Sequence, residues 1–206
     1  MKLTRQQFLR VLPVTALALS GCAASETAPA STEELVLDRA CPLDSATPWT
    51  SVCEAGGHTA DCYEGGYTML TLTESGKQFL VTPEDAAEVE GLPESVTVLR
   101  QPVRNIYLVS TSVMDLFLAL DGLDSVTLSG TRAEGWYLDE GRAAMEDGRI
   151  AYAGKYSAPD YEKILAANCG LAIENTMIYH TPEVKEQLER FGIPVLVERS
   201  SYESGP

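Results

Sequence analysis

The sequence has few of the residues and motifs on which catalysis and nucleotide binding depend. It contains only two histidines, His58 and His180. No G-x-G-x-x-G follows the first strand expected in its main α/β segment, and neither G-x-x-x-x-G-K-[ST] nor G-x-S-x-G occurs. Nucleotide-binding and α/β-hydrolase interpretations therefore lack a phosphate-binding loop or a nucleophile. The sequence favours a binding protein over an enzyme.

Basic side chains are also scarce, with 15 Lys and Arg against 30 Asp and Glu and a net charge of −15. Residues 1–21 carry three basic and no acidic side chains, so the remainder of the chain has a charge of −18. Such a charge argues against nucleic acid or anionic lipid as a partner. It is compatible with binding cations or their complexes, and also with a simple solvated acidic surface.

The amino-terminal residues follow the order that is typical of an export signal. Lys2, Arg5 and Arg10 precede the apolar stretch 11–19, and small residues follow it. This stretch is too short to cross a bilayer. Residues 4–10 also resemble a twin-arginine signal, although Gln6 stands in place of the second arginine, so the export route stays open.

The tetrapeptide Leu19-Ser20-Gly21-Cys22 resembles the lipobox of bacterial lipoproteins. In that class the cysteine thiol is acylated before the signal peptide is cleaved. The resemblance implies that Cys22 becomes the first residue and carries a lipid that anchors the protein, outside the cytoplasm, to the cell membrane. An ordinary secretory signal with a chance cysteine is the alternative.

Four further cysteines are present, at positions 41, 53, 62 and 169. In an oxidising compartment a disulfide within Cys41, Cys53 and Cys62 is plausible, and free thiols are the alternative. The spacing Cys53-x4-His58-x3-Cys62 lacks a convincing fourth ligand, so no metal site is expected. Cys169 precedes an apolar strand and is expected to be a small buried hydrophobe.

Composition and patterning divide the chain into five segments. Residues 23–34 are mostly Ala, Ser, Thr, Pro and Glu, as in a flexible tether. Alternating apolar residues on both sides of a Glu-Ser-Gly-Lys turn predict a β-hairpin over residues 67–82. The expected segments are a signal peptide (1–21), the tether (22–34), a loop-rich extension (35–66), the hairpin and a linker (67–101), and an α/β lobe (102–206).

Within the last segment strands and helices alternate. Apolar strands are expected at 106–109, 126–128, 150–153, 171–173 and 195–197, with helices at 113–120, 160–167 and 183–191. Ser112 and Thr181 are the expected N-caps of the first and last helix, and Pro159 and Pro182 are expected in first turns. This order predicts a Rossmann-like lobe with a five-stranded, mainly parallel sheet.

Ligands of such sheets bind at the edge formed by the carboxyl ends of the strands. The residues after the five predicted strands are polar or aromatic. They are Ser110-Thr111-Ser112, Ser129-Gly130-Thr131, Gly154-Lys155-Tyr156, Glu174-Asn175-Thr176 and Arg199-Ser200-Ser201-Tyr202.

Four motifs in order resemble ABC-transporter substrate-binding proteins of the iron-siderophore, haem and cobalamin class. The first is the strand and helix start over residues 102–120. The second, Ala158-Pro159-Asp160-Tyr161-Glu162-Lys163-Ile164, is similar to the family's P-[ND]-x-E-x-I helix start. The others are Leu171-Ala172-Ile173-Glu174 and the L-x-x-x-G-I-P-V turn at 188–195.

The resemblance implies a receptor with two α/β lobes that captures a metal chelate or corrinoid and delivers it to an ABC permease and its ATPase. It implies that Glu162 pairs with permease arginines, whereas local physics alone explains Glu162 as a first-turn carboxylate. The family continues into a second lobe after residue 206, so we expect this chain to hold the amino-terminal lobe only. The alternative is a truncated or repurposed surface lipoprotein with a structural or interaction role.

Candidate ligand contacts at the strand ends are aromatic faces, polar groups and two cations suited to a large anionic chelate. Each also has an ordinary explanation, such as packing of a helix start for Trp136, a surface charge for Lys155 or a core position for Tyr179. Tyr179 is a further candidate aromatic face, Met177 and His180 are lesser candidates, and no resident cofactor or catalytic residue is expected. The ligand contacts expected are Ser110, Thr111, Thr131, Trp136, Tyr137, Lys155, Tyr156, Glu174, Asn175, Arg199 and Tyr202.

Overall fold

The computed structural model describes residues 50–53 and 58–199. These residues form an α/β protein with two five-stranded sheets and one two-stranded sheet. The strands are β1 (Thr50–Cys53), β2 (His58–Cys62), β3 (Thr68–Leu72), β4 (Gln78–Thr82), β5 (Val96–Arg100), β6 (Ile106–Leu108), β7 (Val126–Ser129), β8 (Ala151–Tyr152), β9 (Gly154–Lys155), β10 (Ala158–Pro159), β11 (Leu171–Glu174) and β12 (Val195–Val197). The helices are α1 (Met114–Ala119), α2 (Asp139–Glu146), α3 (Tyr161–Ala166) and α4 (Pro182–Arg190).

The first sheet has the strand order β1-β2-β3-β4-β5 and includes the predicted hairpin. β3 and β4 pair antiparallel from Thr68 opposite Val81 to Thr71 opposite Gln78. Gly76 has φ 66° in the turn, a conformation that glycine adopts without strain. The segments predicted as an extension and a linker also contribute strands, since β1 and β2 extend the hairpin on one side and β5 pairs parallel to β4.

The second sheet has the order β12-β11-β6-β7-β8, and all of its neighbouring strands are parallel. This confirms the five predicted strands and the Rossmann-like lobe. The chain runs outward from β6 through β7 to β8 and then returns to β11 on the other side of β6. The strand order therefore reverses between β6 and β11, which is the place where open α/β sheets usually bind ligands.

Two apolar clusters cover the two faces of the parallel sheet, because successive side chains of a strand point to opposite sides. Ile106 and Leu108 face the first cluster, together with Met114 of α1, Ala144 of α2 and Phe79 of the first sheet. The opposite cluster packs α3 and α4 through buried side chains, including Tyr107, Ile164, Val184 and Leu188. The first sheet therefore lies on the same side of the lobe as α1 and α2.

The helix starts differ from expectation at three residues. Ser112 lies inside the 3-10 turn Thr111–Val113 and is not the N-cap of α1, because its hydroxyl donates to Glu198 instead. Pro159 belongs to β10, and the carboxylate of Asp160 caps α3 by accepting from the Lys163 amide at 3.1 Å. Thr181 precedes α4 without forming a side-chain cap bond.

The first turn of α4 and the residue that follows its end agree with expectation. Pro182 is in the first turn of α4, and Gly192 has φ 76° just after its end. The sequence did not predict α2.

No helix within 50–53 or 58–199 has the length and apolar character that crossing a membrane requires.

Candidate functional site

A cleft of about 290 Å³ lies at the carboxyl edge of the parallel sheet, beside the point where the strand order reverses. One wall comes from the first sheet, and the other from α1 and the ends of β11 and β12. We call it the rim cleft. Its lining residues are His58, Leu70, Leu72, Glu74, Ser75, Val113, Leu116, Ile173, Tyr179, Leu196, Val197, Glu198 and Arg199.

The walls of the rim cleft are mainly apolar. Leu70 and Leu72 are two residues apart on β3 and therefore point to the same face of the first sheet. Leu116 of α1 and Leu196 of β12 contribute to the opposite wall. Such walls bury the apolar part of a ligand, which is the main favourable term in binding a small molecule.

The polar end of the rim cleft holds one cation and two carboxylates. Arg199 forms an ion pair with Glu74 of the β3–β4 turn. The carboxylate of Glu198 accepts hydrogen bonds from the hydroxyls of Ser110 and Ser112, the latter at 3.0 Å. The cleft therefore joins apolar walls to a small charged end in which each of these charges is partnered.

A second ionic contact fixes the hairpin to the lobe. The Nζ of Lys77 lies 2.5 Å from Oε1 of Glu189 on α4 and also donates to the carbonyl of Val195 at 3.2 Å. Lys185 binds the same carboxylate at 3.0 Å. Burial alone would raise the pKa of Glu189, but the hydrogen bonds from the two lysines outweigh burial and lower it. The carboxylate is thus held ionised, and the wall formed by β3 and β4 is fixed in place.

Of the predicted ligand contacts, Arg199 and Tyr179 line the rim cleft, and Ser110 lies directly behind it. Ser110 is buried and bonded to Glu198, so it orients that carboxylate and offers no accessible surface of its own. Thr111 is exposed at the start of the 3-10 turn. Among the predicted residues that follow β6 and β12, the structure thus brings Ser110 and Arg199 to the rim cleft, whereas Thr111 does not line it.

The aromatic pair after β7 is divided between core and solvent. Trp136 is 2% exposed, packs in the cluster around Leu108, and donates its indole N–H to the hydroxyl of Ser129 at 3.3 Å. This position makes it a core residue and removes it from the accessible ligand contacts. Tyr137 is 96% exposed. The rim cleft contains neither ring.

The predicted contacts after β7, β8 and β11 lie outside the rim cleft. Lys155 is exposed on the β9–β10 hairpin, and Tyr156 is half-buried against the cluster beneath α3 and α4. Thr131 donates its amide to the Ser129 hydroxyl at 3.0 Å, and the side chain of Asn175 accepts from the Met177 amide at 2.9 Å. These hydrogen bonds of Thr131 and Asn175 are local and stabilise the loops that contain them.

Glu174 is a buried carboxyl group and does not line the rim cleft. It is 0% exposed, and neither carboxylate oxygen has a hydrogen-bond partner. Strand alternation places its side chain on the face that carries Tyr107, opposite Ile173 and the rim cleft. Burial raises the pKa of Glu174 to about 8, because a charge in this apolar surrounding is poorly solvated.

The remaining predictions concern docking, lipid attachment and cysteines. Glu162 is exposed in the first turn of α3. Cys22, Cys41 and Tyr202 lie outside the described residues, as do the predicted signal peptide and tether. Cys62 is a free thiol, so disulfides involving it are not formed, and Cys169 is also free and partly buried. Residues 50–53 and 58–199 contain no group of metal-ligating side chains.

Sequence reasoning missed most residues of the rim cleft. The rule that ligands bind at strand ends pointed to Arg199, but it did not select the opposite wall formed by Leu70 and Leu72. Their i, i+2 spacing was visible as hairpin patterning, yet nothing local indicated that this face lies over α1 and β12. Glu74 was read only as a turn residue.

Fold and site together define the class: an α/β protein whose described residues form a single Rossmann-like lobe with a cleft at the carboxyl edge of its sheet. Comparison with protein-family models and with curated proteins gives no match. Function is therefore inferred from the site and from the sequence motifs.

Proposed function

We propose that this chain is an extracytoplasmic solute-binding lipoprotein of an ABC importer. It captures a metal chelate, such as a ferric siderophore or haem, or a corrinoid, and delivers it to the membrane permease. The observation that carries the proposal is the rim cleft at the strand-order reversal of a parallel sheet, the usual ligand position in this architecture. The lipobox-like sequence at Cys22 supports the extracytoplasmic, lipid-anchored location.

In this role the protein binds its ligand and does no chemistry on it. The apolar walls contributed by Leu72 and Leu116 bury ligand surface, and Arg199 supplies a guanidinium suited to a carboxylate or an anionic chelate. Lys155, exposed after β8, lies farther along the same edge of the sheet, where it offers a second cation to a large anionic ligand. The transported metal belongs to the ligand.

The binding test is a thermal shift and calorimetric titration of the chain against ferric siderophores, haem and cobalamins. A ligand that binds only the folded state raises the melting temperature by mass action. We expect at least one member of the panel to produce a saturable rise, which Arg199→Gln reduces. The iron-free siderophores serve as matched controls. A panel that produces no shift and no heat at millimolar ligand contradicts the proposal.

Permease docking is tested at Glu162, whose exposed position leaves it accessible to a partner. Glu162→Gln is expected to lower ligand uptake by cells about ten-fold or more while ligand affinity stays unchanged, since the loss of an interface charge pair costs about 2 kcal/mol or more. Glu183→Gln is the matched control, because Glu183 is an exposed carboxylate in the first turn of α4. Equal uptake by the two variants would argue against docking through Glu162.

A further inference from the structure

A side chain of the protein itself occupies the charged end of the rim cleft. Glu74 projects from the β3–β4 turn, and its carboxylate forms an ion pair with Arg199, which follows β12. Both residues line the cleft. The guanidinium therefore already binds one carboxylate where the apolar walls end.

This ion pair is weak enough to be replaced. The side chains of Glu74 and Arg199 are 59% and 37% exposed, and solvent screens a pair at such positions. Glu74 carries only two methylene groups with which to cover the apolar walls when it pairs with Arg199. A ligand carboxylate attached to an apolar body gains from burial against Leu70, Leu72 and Leu116 as well as from the guanidinium.

Opening the Glu74–Arg199 pair does not free the hairpin. Lys77 holds the start of β4 to Glu189 and to the carbonyl of Val195. Its ammonium also lies 5.4 Å from the centre of the Phe79 ring. The wall of the cleft therefore stays in place while the Glu74 side chain turns into solvent.

Charge balance is preserved when one carboxylate replaces another. The second carboxylate of the cleft, Glu198, is bonded to the hydroxyls of Ser110 and Ser112 on the lobe side. A ligand carboxylate in the position of Glu74 meets the same neighbours that Glu74 meets. A ligand ammonium would instead face the guanidinium of Arg199.

We infer that Glu74 takes the place of an anionic ligand group, and that the rim cleft selects molecules with an apolar body and a carboxylate that binds Arg199 in place of Glu74. This inference rests on the proposed function for its biological context and names the ligand chemistry of the same site. The cleft volume of about 290 Å³ is near the small end of ligand pockets, roughly 300 Å³. It suits a medium-length acyl or aromatic arm.

The experiment uses octanoate, octanol and octylammonium as probes of equal chain length, each titrated calorimetrically at pH 7 into the chain. The variants are Glu74→Gln and Arg199→Gln. Glu186→Gln is the matched control, because Glu186 is 60% exposed and pairs with Arg190 on α4. Thermal melting establishes that each variant is folded.

Octanoate is expected to bind Glu74→Gln about two- to five-fold more tightly than the wild type, the range set by an exposed ion pair. Arg199→Gln, which leaves the Glu74 carboxylate unpaired beside the ligand, is expected to bind octanoate at least about ten-fold more weakly than Glu74→Gln does. Octanol affinity is expected to stay the same in both variants, and Glu186→Gln to match the wild type with every probe.

Three outcomes would overturn the inference: octanoate affinity unchanged in Glu74→Gln, octylammonium bound more tightly than octanoate by the wild type, or no octanoate binding at millimolar concentration. Failure of the proposed function looks different. In that case the chelate and corrinoid panel gives no response, while octanoate still shows the Glu74 effect.

Discussion

Among single residues, Glu174 combines full burial with an ionisable group that lacks a hydrogen-bond partner. Its charge also raises the pKa of Tyr107 and Tyr161, although desolvation of each phenol is the larger cause. Both phenols ordinarily titrate near pH 10, above the range in which Glu174 ionises. The pH dependence of stability between about 5 and 8 is therefore expected to report on this carboxyl group.

Glu174 is predicted to make the protein less stable as pH rises. A folded-state pKa raised from 4.5 to about 8 favours the protonated form, so stability is greatest below pH 4.5 as far as this group is concerned and falls until about pH 8. One pKa unit corresponds to about 1.4 kcal/mol, so the full loss is on the order of 5 kcal/mol, of which roughly 3 to 4 kcal/mol falls between pH 5 and pH 8. Urea unfolding of the wild type and Glu174→Gln at pH 5 and pH 8 measures it.

Glu174→Gln should flatten this pH profile, whereas the exposed Glu186→Gln should leave the wild-type slope intact. A slope that persists in Glu174→Gln would show that other groups cause it.

At the scale of elements, the two helices beneath the parallel sheet begin in different ways. Asp160 caps α3 through the Lys163 amide, while Thr181, before α4, has a buried hydroxyl without a partner. Both residues are of types that favour N-cap positions, so the sequence does not distinguish them. The difference arises from how each loop approaches its helix.

Asp160→Ala is therefore predicted to lower the free energy of unfolding by about 1 kcal/mol, the usual cost of losing a cap. Thr181→Val, which preserves shape and removes an unpaired hydroxyl, should be neutral or stabilising. Chemical denaturation of the two variants tests this order. Equal destabilisation by both would contradict the assigned caps.

The contact between the first sheet and the lobe depends on Lys77, which is half-buried between β4, β12 and α4. Lys77→Met is predicted to destabilise the protein by about 1 to 2 kcal/mol, because it removes charged hydrogen bonds at a partly buried site. Arg190→Met, which removes only an exposed i, i+4 pair, should cost a few tenths of a kcal/mol. If both variants lost a similar amount of free energy of unfolding, the Lys77 contacts would not contribute significantly to holding the first sheet against the lobe.

At the scale of the whole molecule, the proposed lipid anchor is expected to bring the chain, if it acts as the receptor proposed above, close to a permease in the same membrane. A protein anchored through Cys22 is expected to stay at high effective concentration near the membrane. The strong net negative charge disfavours adhesion of the protein surface to anionic lipid. Membrane association is then expected to depend on the anchor.

Cys22→Ala is accordingly predicted to abolish incorporation of labelled fatty acid and to shift the protein from the membrane fraction to the soluble extracytoplasmic fraction. The control is Cys169→Ala, whose thiol lies within the lobe and should not affect either readout. Fatty-acid labelling of Cys22→Ala at the wild-type level would reject lipid attachment at this cysteine.

Sequence periodicity by itself determined the α/β class, the five parallel strands and the hairpin, because apolar runs and alternation reflect burial directly. It did not reveal β5, whose side chains are mostly half-buried or exposed. Strand ends could be placed at one edge of the sheet, so Arg199 was identifiable. The sequence did not indicate whether a polar residue at that edge faces a ligand, a helix or the core.

The tertiary structure alone decided those questions. Trp136 is buried because the loop after β7 packs inward, and Glu174 is buried because β11 lies between β12 and β6 in a sheet whose two faces are covered. The rim cleft exists because the hairpin, more than a hundred residues away from Arg199 in sequence, packs beside β12 and brings Leu72 and Glu74 to the strand ends. Contacts at such separation depend on how whole elements pack together, which local sequence patterns do not encode.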